Sequence, residues 1–306
     1  YVGVCATDLE VADGCLEYYR EGQARYPIVP GHEYSGIVVE TGPNVSGLRM
    51  GDKVVGECAI GCGECGACAR GEFYRCTRRR EVGVINMNGA YARYLKMPAR
   101  YVHKLPRGIL LKEGALIEPL AVCLKGLRKL AIGPRTSVCV VGAGPLGNLC
   151  AQILRHRGAH VAVIDRDERR LQLLYKYDID TRTDLQGLDA FDCLIEATGN
   201  EEVIPHLIEK SRASAEILLL GLPYAEPVRV RFDTVPCYDK EIYGSISSER
   251  RDWEEAIRLV AARAINLDDH TATILSLESY ETAWKAVRDR ERFKVLLSCN
   301  AILEGF

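Results

Sequence analysis

Short apolar and β-branched runs, separated by glycine, proline and asparagine, dominate the first third of the chain. Residues 34–56 alternate such runs with turn signals at Gly42–Pro43 and Gly51–Asp52. Residues 89–106 have the same character and predict two more short strands. Strands at this spacing, divided by residues that favour turns, indicate a compact β-rich domain.

From residue 111 the pattern changes to helices that alternate with buried strands. Apolar spacing predicts a helix over 111–132, broken near its start by Pro119. The predicted strands cover 137–141, 160–164, 191–199, 215–222 and 241–245. The predicted helices cover 148–157, 168–177, a segment between 199 and 215, and 251–264. This alternation predicts a parallel sheet covered on both faces, with one crossover, 178–190, too short for a helix.

The remaining stretch, 271–299, returns to mixed character. It predicts a strand, a helix over 281–290 and a final strand over 294–298. We find no internal repeat and no low-complexity linker in the sequence. With 306 residues, two domains are the default expectation.

Composition and charge exclude several classes of partner. The formal net charge is −2 and the pI about 6.4, whereas proteins that bind nucleic acid or membrane surfaces carry a basic excess. No apolar run approaches the roughly 20 residues that span a bilayer, and the start lacks the pattern of a signal peptide. We therefore expect neither a nucleic-acid nor a membrane partner.

The thirteen cysteines are an odd number, and many lie in apolar, strand-like runs. This distribution favours a reducing, cytoplasmic compartment over a disulfide framework. Four of them form one cluster with the spacing C-x2-C-x2-C-x7-C, namely Cys62, Cys65, Cys68 and Cys76. Four thiolates at this spacing fill a tetrahedral zinc shell and leave no open position, so we predict a structural zinc site. Four free or paired cysteines in a loop are the alternative.

A second set of ligand types occurs in residues 1–33. Cys5 and His32 supply a thiolate and an imidazole, two of the three protein ligands that a catalytic zinc needs. The third ligand is either the adjacent Glu33 or the distant Glu118. Taken singly, Cys5 could be a buried thiol, and Glu118 could cap the helix near Pro119.

A glycine-rich turn follows the predicted strand 137–141 and opens a helix. Its candidate cofactor-binding residues are Gly142, Gly144, Pro145, Leu146 and Gly147. Glycines in a strand–turn–helix context let the backbone approach a pyrophosphate at the helix N-terminus. Asp165, at the end of the next strand, can accept from a ribose hydroxyl and favours NAD. Arg166 beside it could hold a 2′-phosphate, so NADP stays open.

Five motifs together resemble the zinc-dependent medium-chain dehydrogenases, the group of alcohol, sorbitol, threonine and glucose dehydrogenases. They are C-A-T-D at 5–8, G-H-E at 31–33, the four-cysteine cluster, I-E-P-L-A-V at 117–122 and V-V-G-A-G-P-L-G at 140–147. The resemblance implies an α/β fold, with a GroES-like β-rich catalytic domain and a doubly wound Rossmann sheet. It implies domain limits of 1–118 with 265–306, and of 119–264. Family members carry further N-terminal strands that precede the position of Tyr1.

The resemblance also implies roles for single residues. Cys5 and His32 resemble catalytic zinc ligands, and Asp8 resembles the acid that orients the histidine. Thr7 resembles the hydroxyl of the proton relay, and Glu10 occupies the position of a relay histidine in alcohol dehydrogenases. Glu118 stands where polyol and sugar dehydrogenases place a glutamate and alcohol dehydrogenases a cysteine.

These features lead to a functional expectation: two zincs per chain, NAD or NADP as cofactor, and hydride transfer from a secondary alcohol of a polyol, sugar or cyclitol. A threonine-type or aminocyclitol dehydrogenase is an alternative within the same fold. A zinc- and nucleotide-binding protein without turnover is an alternative of another class. By analogy with the family, we expect a homodimer or homotetramer.

Overall fold

The structure is a computed structural model that describes residues 1–222 and 227–299. The backbone contacts group the chain into two compact units. The first combines Tyr1–Ala121 with the segment that begins at Ser247, and the second is Val122–Ile246.

The elements up to residue 127 are short strands and helices. They are β1 (Val2–Gly3), α1 (Ala6–Asp13), α2 (Glu17–Arg20), β2 (Glu33–Ile37), β3 (Lys53–Gly56), β4 (Ala59–Ile60), α3 (Gly66–Ala69), β5 (Arg80–Val82), β6 (Asn86–Met87), β7 (Val102–Lys104), α4 (Leu111–Gly114) and α5 (Ile117–Leu127). The predicted helix 111–132 is therefore two helices, and the break precedes Pro119. Proline is tolerated in the first turn of α5 because the N–H groups there have no helical partner.

The second unit holds an all-parallel sheet. Its elements are β8 (Ser137–Val141), α6 (Pro145–His156), β9 (His160–Ile164), α7 (Glu168–Gln172), β10 (Asp180–Arg182), β11 (Cys193–Glu196), α8 (Val203–Lys210), β12 (Glu216–Leu219), α9 (Thr234–Cys237) and β13 (Glu241–Gly244). The strand order is β10-β9-β8-β11-β12-β13. Buried aliphatic and cysteine side chains such as Cys139, Ile164 and Leu194 form its core. This sheet confirms the prediction of a Rossmann-like arrangement.

The segment 178–190 differs from the expectation in one respect. It carries the edge strand β10, which the sequence pattern did not predict, because Asp180–Arg182 is only three residues long and two of them are charged. The connection from β10 to β11 contains a single short 3₁₀ turn, Leu188–Ala190, and no α-helix. The prediction of a crossover without a helix is thus confirmed.

The last elements return to the first unit. They are α10 (Arg250–Ala261), β14 (Ile274–Ser276), α11 (Tyr280–Arg288) and β15 (Leu296–Ser298). The sheet order is β14-β15-β1-β2-β3-β7, so β1 lies between the last strand of the described chain and β2. Val2 pairs with Leu297 on one side and Tyr34 on the other. These side chains are buried in one core with the inner face of α11.

Residues 89–106 were predicted to form two short strands, but they form only one, β7, and residues 89–97 form none. Their backbone instead bonds to an irregular segment: the N–H groups of Gly89, Ala90 and Tyr91 donate to the carbonyl groups of Val29, Gly31 and Pro30. This pairing fixes the segment that carries His32. Within the described ranges, no helix is long and apolar enough to cross a membrane.

Candidate active site

Helix α1 positions the first functional side chains. Cys5 precedes the helix in an extended conformation, and its N–H donates to Asp8 Oδ2 at 2.9 Å. Thr7 and Glu10 lie three residues apart on α1, so they occupy neighbouring positions on its surface. The sequence pattern did not predict α1, because its eight residues have little apolar periodicity.

His32 and Glu33 reach the same place from the start of β2. Gly31, just before them, has φ of +97°, and a Cβ there would overlap the ring of Tyr91. Only glycine combines this backbone angle with such a close approach. The N–H of Gly31 donates to Asp8 Oδ1 at 3.0 Å, which ties β2 to α1.

One ligand atom from each of Cys5, His32 and Glu33 lies within 4.8 Å of the others. His32 Nδ1 is 3.3 Å from Asp8 Oδ1, which leaves the opposite ring nitrogen, Nε2, for a metal. Sulfur, nitrogen and oxygen donors in one partly buried cluster match the ligand preferences of zinc. Three protein donors would leave a fourth position open.

Several ionisable side chains lie close together around this cluster. Burial acts to lower the pKa of His32, but the negative charges of Asp8 and Cys5 outweigh it and raise the pKa well above its ordinary value. Burial raises the pKa of Glu118 to about 7, an effect that His32 opposes and Glu33 reinforces. Acidic groups therefore crowd a buried space, and a divalent cation is the charge that would stabilise them.

The structure places Glu118 within α5, near its start, and not at the capping position. It is buried, with 8% of its surface exposed. Its oxygen atoms fall outside the three-donor group of Cys5, His32 and Glu33. Glu118 is therefore near enough to interact electrostatically with His32 and Glu33, whereas Glu33 has an oxygen atom within 4.8 Å of the other two donor atoms.

Lys294 is a site residue that sequence reasoning missed. Its Nζ donates to Glu33 Oε1 at 2.7 Å and to the carbonyl of Val4 at 2.9 Å. Burial acts to lower the pKa of Lys294, but Glu33 and Cys5 outweigh it, so the net shift is upward. A lysine inside the apolar run F-K-V-L-L was the available signal, since a buried lysine needs a partner.

Cys58 supports the cluster from the short connection between β3 and β4. Burial raises the pKa of its thiol well above the ordinary value, so the thiol stays protonated. It donates to the carbonyl oxygen of His32 at 3.0 Å. The backbone of the histidine is therefore held by a side chain that is itself 4% exposed.

The four cysteines Cys62, Cys65, Cys68 and Cys76 also converge, with their sulfur atoms within 4.8 Å of one another. The N–H of Glu64 donates to Cys62 Sγ at 3.5 Å and, together with the N–H of Cys65, lowers the pKa of that thiol to about 6, which favours the thiolate. Zinc binds the thiolate form. The sulfur set suits a closed zinc shell.

The glycine-rich turn lies between β8 and α6. Gly142 has φ of +107°, and a Cβ there would lie 2.8 Å from Thr198 Cγ2. Gly144 precedes α6, and Pro145 is its first residue. Asp165 Oδ2 accepts from the N–H of Ala143 at 2.7 Å, which joins the end of β9 to the turn. Arg166 is exposed.

All thirteen cysteines lie in the described part of the chain, and none of them forms a disulfide. The fold, the two donor clusters and the glycine turn can now be compared with known proteins. A family described as alcohol dehydrogenase GroES-like domain matches residues 1–107. A second, described as glucose dehydrogenase C-terminus, matches residues 111–298, more than half of the chain. The chain belongs to the zinc-containing medium-chain dehydrogenases.

Two relatives illustrate the branch of this medium-chain dehydrogenase. It is 28% identical to sorbitol dehydrogenase of Halalkalibacterium halodurans, over 97% of this chain and 89% of the relative. It is 30% identical to D-xylulose reductase A of Aspergillus niger, over 97% and 87%. By family it is an NAD(P)-dependent alcohol or polyol dehydrogenase.

Solved structures agree on the fold. A zinc-binding dehydrogenase of Sinorhizobium meliloti 1021 bound to NADP has a TM-score of 0.85 at 27% identity, with 97% of this chain and 89% of that chain covered. Galactitol-1-phosphate dehydrogenase of Escherichia coli has a TM-score of 0.83 at 25% identity, covering 97% and 90%. Both GroES-like and Rossmann-like parts of the medium-chain dehydrogenase fold are therefore present.

Proposed function

We propose that the protein oxidises a secondary alcohol of a polyol, sugar or cyclitol to the ketone, with NAD as hydride acceptor. One observation carries the proposal: Cys5, His32 and Glu33 converge as a mixed, three-donor cluster with carboxylate in place of a second thiolate. The relatives named sorbitol dehydrogenase and D-xylulose reductase support the same class of substrate.

We further propose that the chain holds two zincs in different roles. Cys5, His32 and Glu33 would hold the catalytic ion with Glu118 nearby, and the four clustered cysteines would hold the structural ion. Zinc bound at an open site polarises an alcohol oxygen and lowers its pKa. The unit that contains both clusters is then the catalytic domain.

Residues of the chain would then accept the proton that the alcohol loses and orient the ring of His32. Thr7, in the first turn of α1, would accept the proton that the alcohol loses. Glu10, three residues further along the same helix, offers a carboxylate as the next acceptor. Asp8 orients the ring of His32 through its contact with Nδ1.

The glycine-rich turn before α6 would bind the pyrophosphate of the dinucleotide with backbone N–H groups. Asp165 supports NAD over NADP, because its carboxylate at the end of β9 would repel a 2′-phosphate. Its two oxygens already accept from the N–H groups of Ala143 and Asp167, so the carboxylate has a fixed orientation.

The test is the absorbance of reduced cofactor with a panel of polyols, aldoses, inositols and threonine, each with NAD and with NADP. We expect turnover with a polyol, sugar or cyclitol and a preference for NAD. Turnover of threonine alone would favour the threonine-type alternative. If no compound turns over while two zincs per chain are present, the protein is a binding relative without turnover.

A further inference from the structure

A line of hydrogen bonds leads from α11 to the candidate metal cluster. Trp284 Nε1–H donates to the hydroxyl oxygen of Tyr91 at 3.1 Å. The Tyr91 hydroxyl donates in turn to Asp8 Oδ2 at 3.3 Å. Asp8 Oδ1 lies 3.3 Å from His32 Nδ1. Four side chains from four separate segments are thus joined in sequence.

The chemistry of the groups fixes the direction of this line. An indole N–H can only donate, so the oxygen of Tyr91 must act as acceptor towards Trp284. An ionised carboxylate can only accept, so the hydrogen of Tyr91 points to Asp8. Trp284 therefore orients the Tyr91 hydroxyl so that its hydrogen points towards the carboxylate of Asp8.

Asp8 is the point where these contacts meet. It is fully buried and accepts from the N–H groups of Cys5 and Gly31 in addition to Tyr91. The two backbone donors belong to the segments that carry the metal-ligand candidates. Tyr91 is the donor that reaches Asp8 from outside those segments, and it can be deleted without changing a ligand or a backbone group.

We propose that Tyr91, oriented by Trp284, is a positioning residue for the catalytic metal. Its hydroxyl holds the Asp8 carboxylate in the orientation that faces His32 Nδ1, and thereby fixes the ring with Nε2 towards the ion. Groups that hydrogen-bond to the partners of metal ligands commonly tune metal affinity in this way. The inference rests on the proposed function only in that the cluster binds a metal, and it is independent of the substrate.

The surroundings of Tyr91 suit this role. Its backbone N–H donates to the carbonyl of Pro30, and its ring packs against Gly31, next to His32. Trp284 is held by an edge-to-face contact with Tyr280, at 5.3 Å between ring centroids. The competing explanation is that Tyr91 and Trp284 only fill the core beneath β1, where both are packed.

The first experiment uses Tyr91→Phe in the full chain loaded with zinc. The ring is kept and only the hydroxyl is lost. We expect zinc in the catalytic cluster to bind about 10-fold more weakly in competition with a chelator. Zinc in the four-cysteine cluster is the internal reference and keeps its affinity. Cobalt in the catalytic cluster provides a second readout, because a change in the orientation of His32 shifts its visible absorption.

Trp284→Phe and the double variant separate the hydroxyl network from packing. If Trp284 acts through the Tyr91 hydroxyl, its removal weakens zinc binding in the same direction, and the double variant binds as Tyr91→Phe does. Such non-additivity is the signature of two residues that share one interaction. Tyr94→Phe is the matched control, since Tyr94 is 62% exposed, and it keeps the parental zinc affinity.

Three results overturn the proposal: a folded Tyr91→Phe with parental zinc affinity, a loss of affinity that is equal at both zinc clusters, and effects that add in the double variant. If Tyr91→Phe does not fold, Trp284→Phe decides alone. In that case, weaker zinc binding that is confined to the catalytic cluster supports the proposal, and unchanged zinc binding overturns it. Because no assay here needs a substrate, a failed search for turnover leaves this test intact.

Discussion

The two donor clusters of the first unit are built in opposite ways. The sulfur atoms of the four-cysteine cluster come from one continuous segment, the four-cysteine loop 62–76, in which turns and the short helix α3 bring them together. The cluster of Cys5, His32 and Glu33 draws on the end of β1, the start of β2 and a buried partner, Lys294, next to β15. The first is a product of local chain geometry, and the second exists only once the sheet has formed.

This difference has a chemical counterpart. Four thiolates complete a tetrahedral shell, whereas a sulfur, a nitrogen and an oxygen donor leave room for a substrate oxygen. A closed shell stabilises its loop and exchanges slowly, while an open one needs support from its surroundings to keep its geometry. Asp8, Cys58 and Lys294 provide that support.

The largest expected effect comes from Cys5→Ala, which removes one donor of the open cluster. We expect kcat to fall about 10³-fold, equivalent to about 4 kcal/mol of transition-state stabilisation. Zinc content should fall from two ions to one, because the four-cysteine cluster is separate. Metal analysis and steady-state kinetics measure both. Cys237→Ala, an exposed thiol of the second unit, should match the parent. A Cys5→Ala variant with two zincs would contradict the proposed role of Cys5 as a ligand.

The next effect compares the two candidate carboxylates. Glu33→Gln should weaken catalytic zinc about 100-fold and Glu118→Gln about 10-fold, since only Glu33 lies within contact range of the other donors. Chelator competition gives both affinities, and the exposed Glu254→Gln serves as the control. Unchanged catalytic zinc in both variants would reject a carboxylate ligand at this centre.

Timed chelation compares the clusters directly in the parent protein. We expect zinc to leave the open cluster at least about 10-fold faster than the four-cysteine cluster, because only the closed shell lacks a position for an incoming ligand. Activity should disappear with the first ion released, while the second remains bound. Simultaneous loss of both ions would show that the two clusters do not differ in having an open coordination position.

The smallest effect concerns the packing of the four-cysteine loop. A Cβ at Gly61 would lie 2.5 Å from Cys68 Sγ and 2.8 Å from Phe73 Cδ1. Gly61→Ala should therefore destabilise the loop by about 1–3 kcal/mol and weaken its zinc, with little change in kcat. Gly66→Ala meets only the guanidinium of Arg70, at 3.5 Å, and should be neutral in thermal melting. Equal melting temperatures for the two variants would argue against the close contact.

The sequence predicted the regular parts of the fold well. The strand 160–164 was predicted to the residue, and strands and helices of the second unit alternate as expected. Short or weakly patterned elements were missed, notably α1 and β10. Their residues are selected by long-range pairing and by the side chains they present, and neither leaves a periodic signal.

For the site, the sequence predicted ligand types but not their support. Cys5 and His32 stand out through neighbouring motifs, and the family resemblance supplied candidate roles. The contacts of Lys294 with Glu33 and of Trp284 with Tyr91 cross 261 and 193 positions of the chain. The apolar run around Lys294 signals that the lysine is buried, but no local pattern identifies the distant partner of either residue.

The pairing of β1 with both β2 and β15 has a consequence for biosynthesis. Translation proceeds from the N-terminal side, so the four-cysteine loop can bind its zinc before synthesis of the chain is complete. The other centre must wait until Lys294 and β15 have left the exit tunnel. The nascent protein would thus bind its two zinc ions one after the other, with the catalytic ion second.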